Sequence, residues 1–155
     1  MGDRTSVTLY FLASQKEKVD AILEDLGEEP QTQDVTAEDG QKLCAYYYDE
    51  VNYGTLEFLP ELRAAGIAHE SAWDSGGDFD EGDEYCRFTK EGGCLIKTVI
   101  ESERSISIEI MMTMIHQPNA LVDYIKARNE ELNVLPWTNQ AEYGPTYQAM
   151  QLISR

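Results

Sequence analysis

The stretch Trp73–Asp78, WDSGGD, sets Ser75 between an aspartate and two glycines. A serine hydroxyl becomes a nucleophile only with a base within hydrogen-bond reach and a third group that orients the base. The chain has two histidines, and His69 stands six residues before Ser75, on the segment that leads into the same loop. The loop is also rich in carboxylates, with Asp74, Asp78, Asp80, Glu81, Asp83 and Glu84. Such hard oxygen donors suit calcium or magnesium. An EF-hand loop started at Asp78 would put Gly82, Asp83 and Thr89 where a donor, a glycine and a glutamate are required, so that pattern fails. Neither GxxxxGK[ST] nor GxGxxG occurs, and no metal or cofactor is expected.

The four residues Asp74–Gly77 resemble the surroundings of the nucleophile in chymotrypsin-like serine proteases. That family places its histidine and aspartate far upstream of the serine, within a double barrel. A chain of 155 residues with clear helical segments does not fit two barrels. Ser75 is therefore read as part of a glycine turn after a strand, and no catalytic residue is assigned.

A second cluster is aromatic. Tyr46, Tyr47, Tyr48 and Tyr53 stand beside Asp49 and Glu50. On a strand Tyr46 and Tyr48 share one face and Tyr47 takes the other. Tyrosine is favoured at binding surfaces, so Tyr46 and Tyr48 are candidate contact residues.

The elements that must position these groups follow from periodicity. Residues 5–12 alternate as a strand, with Val7, Leu9 and Phe11 on one face. Ser14 and Glu17 form a capping-box pattern before an amphipathic helix over 15–26, which Gly27 stops. Residues 27–41 read as a polar loop. A strand over 42–49, a short helix through Leu56, Leu59 and Leu62, and a strand over 67–73 follow. Strands over 85–90 and 94–101 flank a turn at Glu91-Gly92, which would set Cys86 opposite Lys97 and leaves Cys86 and Cys94 unbridged. Residues 105–115 alternate Ile106, Ile108, Ile110, Met112 and Met114 and are expected as the strongest strand, with Ile96 opposite Ile110 and Lys97 opposite Glu109. A last clear helix starts at Pro118, and the tail from Asn133 is ambiguous between helix and strand. The prediction is one α+β domain over residues 1–155, with a mixed, largely antiparallel sheet and about three helices mainly on one face. A ferredoxin-like wiring is one arrangement of the early elements.

Charge carries the functional expectation. With 29 Asp and Glu against 12 Lys and Arg, the net charge is −17. That sign opposes direct binding to nucleic acid or anionic lipid and favours basic partners. No run is long enough to span a membrane, and three widely spaced cysteines suggest reduced thiols in a cytoplasmic compartment. The start MGDRTS meets the loose N-myristoylation pattern at Gly2, a pattern many sequences meet by chance. The expected function is a non-catalytic acidic binding protein. Its sharpest form is a nucleic-acid mimic that inhibits a basic DNA- or RNA-handling protein. The chain resembles small acidic inhibitors of restriction or CRISPR enzymes in size and charge only. The expected surface combines the loop carboxylates Asp74, Asp78, Asp80, Glu81, Asp83 and Glu84 with the helix residues Glu17, Asp20, Glu24 and Asp25. The alternative is a small-ligand-binding or metal-dependent enzyme domain, using Tyr46, Tyr48, Trp73 or His69.

Overall fold

A computed structural model describes residues 3–154; Gly2 lies outside them. Arg4–Leu12 forms β1. Its apolar alternation puts Val7, Leu9 and Phe11 in the core with no exposed surface. A 3-10 turn over Ala13–Gln15 leads into α1, Lys16–Leu26. Ser14 does not cap this helix, because the turn makes Gln15 its N-cap residue, without a side-chain bond. Gly27 ends it with φ 73°, a left-handed conformation that costs glycine little.

Gln31–Thr36 is β2, in a segment whose sequence reads as loop. It is an edge strand with no buried side chain, so no apolar alternation marks it. It pairs antiparallel with β3, Lys42–Asn52, and β3 pairs antiparallel with β1. α2 spans Leu59–Ala64, with Pro60 in its first turn, where the missing N–H leaves no bond unmade. β4, His69–Trp73, then lies on the other side of β1. The sheet order over these strands is β2-β3-β1-β4. A chain running β-α-β-β-α-β with that order has ferredoxin-like connectivity. β5, Gly82–Phe88, and β6, Cys94–Ile100, extend the antiparallel sheet to six strands.

The β5–β6 register differs from the expected one by one residue. Thr89 N bonds Gly93 O at 3.0 Å and Gly92 N bonds Thr89 O at 3.1 Å, a longer turn than two residues. Cys86 therefore faces Ile96, and Tyr85 takes the position opposite Lys97. Cys86 and Cys94 fall on one face, with their sulfurs 3.7 Å apart and unbridged.

Residues 105–115 are not a strand. A 3-10 turn at Glu101–Arg104 ends β6, and α3 spans Ile108–Met114. The apolar run is dense enough to satisfy both periods, since Ile108, Met111, Met112 and Ile115 also share one helical face. Local capping decides: the Ser107 hydroxyl accepts from Ile110 N at 3.2 Å. The pairs Ile96–Ile110 and Lys97–Glu109 do not exist. Lys97 instead donates to the carbonyls of Glu131 and Asn133. α4 covers Pro118–Leu132, and the tail resolves as α5, Gln140–Ile153.

The core lies mainly on one face of the sheet. Val19 and Leu23 of α1 and Leu59 and Leu62 of α2 pack on Val7, Leu9, Phe11, Cys44, Tyr46 and Tyr48. α5 joins this side, with Tyr147 stacked on Phe88 at 4.9 Å between ring centres. Gly144 makes the docking possible: a Cβ there would lie 1.8 Å from the Gly66 carbonyl oxygen, so the two backbones touch directly. Gln140, 1% exposed, ties α5 to β5 by accepting from Phe88 N at 2.7 Å and donating to Phe88 O at 3.0 Å.

Candidate functional site

Antiparallel pairing sets the start of β1 beside the ends of β3 and β4, since Arg4 faces Asn52 and Val7 faces Trp73. The β4–β5 loop folds back to the same place. Thr5 Oγ1 donates to Asp74 O at 2.9 Å, and Asp78 N donates to the Asp3 carboxylate at 3.0 Å. Ser6 donates to Asp49, Trp73 Nε1 donates to Asp80 O, and Glu101 N bonds Glu81 O. One end of the sheet therefore gathers Asp3, Asp49, Glu50, Asp74, Asp78, Asp80, Glu81 and Glu101 into an acidic rim. The cations paired there are Arg4, with Glu50 at 3.3 Å, and Arg104, with Glu101 at 3.4 Å and with Asp83. Six of the 29 carboxylates engage in ion pairs among the described residues, so the charge excess persists on the folded surface.

The structure divides the residues expected from sequence. Asp74, Asp78, Asp80 and Glu81 are exposed on the rim, and Glu84 is half-buried. Asp83 projects to the far face of the sheet and is held by Arg104, with its side chain 13% exposed. Glu17, Glu24 and Asp25 are exposed on α1. That helix starts after the far end of β1, and Glu24 lies beside Asp20 and the Gly27–Pro30 turn, not among the rim carboxylates. Asp20 is locked by Lys16 and by the Tyr46 hydroxyl, and these bonds hold its carboxyl below its ordinary range against the opposing effect of burial. Tyr46 and Tyr48 are not contact residues. Their face is the one covered by α1 and α2, where Tyr46 packs edge-on against Phe11 and Tyr48 against Phe58. Burial raises the Tyr46 hydroxyl to about 12.

Ser75 lies exposed in the loop. His69 is 2% exposed and directs Nδ1 to Ile67 O at 2.9 Å; burial lowers its pKa to about 4. A histidine buried in the core on a backbone carbonyl does not serve as base to a surface serine. Among the described residues no group of three or more His, Cys, Asp or Glu side chains is placed to hold a metal ion. No helix among them is long and apolar enough to cross a membrane.

The face of the sheet opposite α1 carries a cleft of about 980 Å³ that periodicity did not single out. Tyr10, Glu70, Asp83, Tyr85 and Arg87 form its floor, with α4 and the segment ending at Trp137 as a wall. Arg87 is 3% exposed and fully engaged. It donates to Leu135 O at 2.9 Å and His69 O at 3.0 Å, approaches Glu70 at 3.6 Å, and stacks 3.8 Å from the Trp137 ring centre. Burial, and then the charge of Asp83, push the Glu70 carboxyl up. Burial and the Glu70 charge raise the Tyr85 hydroxyl to about 12. The signal was present in β1, β4 and β5. Alternate residues opposite the Val7-Leu9-Phe11 face include Tyr10, Glu70 and Arg87, polar side chains on strands that would otherwise show a second apolar face.

Comparison with known protein families, with curated proteins and with solved structures finds no match to this chain.

Proposed function

We propose that this protein is a non-catalytic acidic binding protein that presents its rim to a basic protein, in the sharpest form as a nucleic-acid mimic occupying a DNA- or RNA-binding groove. The observation that supports this reading is the rim itself. Exposed carboxylates from β3 and the β4–β5 loop, with the half-buried Asp3 just before β1, gather at one end of a sheet, with few cations to neutralise them. The loop backbone is held by the Asp3 carboxylate, the Thr5 hydroxyl and the Ser6 carbonyl, so its charges have fixed spacing. A rigid polyanionic edge competes for cationic grooves by electrostatics, associating fast and weakening with salt. A cytoplasmic setting agrees with three unbridged thiols.

The test is affinity capture from the native host at about 50 mM and about 500 mM salt, where the Debye length shrinks from well over 10 Å to a few Å. The reading expects a basic, nucleic-acid-handling partner whose capture falls at high salt and is displaced by DNA or RNA. Recovery of neutral or acidic partners alone refutes it.

A second reading, a small-ligand module, is favoured by the cleft. Its edge carboxylates Glu38, Asp39 and Glu130, the phenols of Tyr10 and Tyr85, and Glu70 beside Arg87 suit a compact organic cation with an apolar body. Titration with butylamine, followed by Trp emission, should saturate and should weaken in Glu70→Gln; a linear or absent response removes this reading.

A further inference from the structure

α3 and α4 carry no buried residue. α3 is two turns long, and its principal contact is α4. A helix this short does not hold in water without an apolar face packed on something. The hairpin is tethered to the sheet by polar bonds near its base: Lys97 to the carbonyls of Glu131 and Asn133, and Arg128 Nε to Glu103 O at 3.3 Å. Ile110, Met114 and Leu121 are half-buried, and the other large aliphatic side chains of the two helices' facing ends are exposed. Ile108 is 73% exposed, Met112 59% and Ile115 55%, with Met111, Val122 and Ile125 exposed beside them.

The same stretch is poor in carboxylates, as is the C-terminal segment 132–155, which holds Glu142 alone. Residues 105–122 contain one carboxylate, Glu109, although the chain has 29. No lysine or arginine falls in it. A basic partner finds nothing to pair with here. A second copy, itself of charge −17, meets few carboxylates here, Glu109 on α3 and Asp123 beside Val122 on α4.

We infer that the α3–α4 hairpin is the interface of a two-fold homodimer, in which two hairpins pack as an antiparallel four-helix bundle. The area suffices. Half-exposed aliphatic side chains keep on the order of 50–100 Å² each, so six provide roughly 300–600 Å², comparable to the roughly 450 Å² of non-polar surface that each partner gives to a standard interface. Such a contact is isologous, the same patch meeting itself, and it closes at two copies. It does not depend on the rim's function.

The salt dependence sets this contact apart from rim binding. Screening removes repulsion between the two chains and leaves apolar burial intact, so dimerisation should tighten with salt while rim binding weakens. Sedimentation equilibrium on the full chain from about 1 to about 200 μM, at about 50 and about 500 mM salt, tests this. The expected result is a reversible dimer with lower Kd at high salt. The pair Ile108→Lys with Met112→Lys should weaken it about 100-fold or more, as loss of central apolar contacts does. Met112→Ala with Ile115→Ala keeps helix propensity and should still weaken it about tenfold. Leu152→Lys, on the exposed end of α5, should leave it unchanged. A monomer at every concentration and salt, or a dimer that ignores both hairpin pairs or responds equally to Leu152→Lys, overturns the inference.

Discussion

Replacing Gln140 with alanine should release α5 and the Trp137 segment from β5. The side chain satisfies both polar groups of the Phe88 backbone, at 2.7 and 3.0 Å, where Phe88 has no exposed surface. Truncation leaves a buried N–H and a buried carbonyl without partners. At about 1–3 kcal/mol for each orphaned group, the loss is roughly 2–6 kcal/mol, a large share of a typical domain's stability. With a urea m-value of roughly 2 kcal/mol/M for a chain of this size, the midpoint should fall by about 1–3 M. Trp137, which stacks on Arg87 three residues before Gln140, should become wetter, and its emission should shift to the red. Gln140→Glu refines the test. Its carboxylate still accepts from Phe88 N but faces Phe88 O as a second acceptor, so its folded pKa must rise above the unfolded value. The deficit against wild type should be full at neutral pH and shrink as pH falls and the acid regains a proton to donate. A midpoint shift of Gln140→Ala under about 0.3 M, or a Gln140→Glu deficit that is flat with pH, would refute the reasoning.

Three further outcomes are expected. His69 has a folded pKa of about 4 against an ordinary 6.5, so the unfolded chain binds the extra proton. Its contribution is present above pH 6.5 and is lost towards pH 4, about 2 kcal/mol between pH 7 and pH 5, and His69→Asn, which keeps a donor for Ile67 O, should remove that share of the acid sensitivity in urea titrations at the two pH values. Gly144→Ala would drive a Cβ against the Gly66 carbonyl; thermal melts should show a loss of about 1–3 kcal/mol, typical of overpacking, and an unchanged melt would place α5 elsewhere. Burial and the neighbouring Cys94 raise the Cys86 thiol, so iodoacetamide at pH 8 should leave Cys86 unmodified until urea unfolds the chain, whereas rapid native labelling would contradict its burial.

Segments whose burial writes a clean period were legible in the sequence. Val7, Leu9 and Phe11 fixed β1, and Val19 and Leu23 with the Gly27 stop fixed α1. Leu56, Leu59 and Leu62 are all buried where the short helix was expected. β2 was illegible because an edge strand with no buried residue needs no apolar face. Residues 105–115 misled because a run of isoleucine and methionine exposed to solvent satisfies two periods at once, and the Ser107 cap is a smaller signal than the alternation. α5 was obscured by Pro145 inside it and is held by contacts from Gly66 and Phe88, far away in sequence. The loop carboxylates were visible as a cluster. Their joining with Asp3, Asp49 and Glu50 was not, because it depends on which strand ends the sheet brings together. Tyr46 and Tyr48 failed as surface residues for the same reason: parity told that they share a face, and only packing told which face α1 covers.

The most direct test of the acidic-rim account is the affinity for the captured partner as a function of salt, for wild type and for a variant carrying Asp74→Asn, Asp78→Asn, Asp80→Asn and Glu81→Gln. All four positions are exposed, so the fold should persist. The account predicts at least about tenfold weaker binding for the variant at low salt and a clearly shallower salt dependence. Equal affinities with the same salt slope would contradict it.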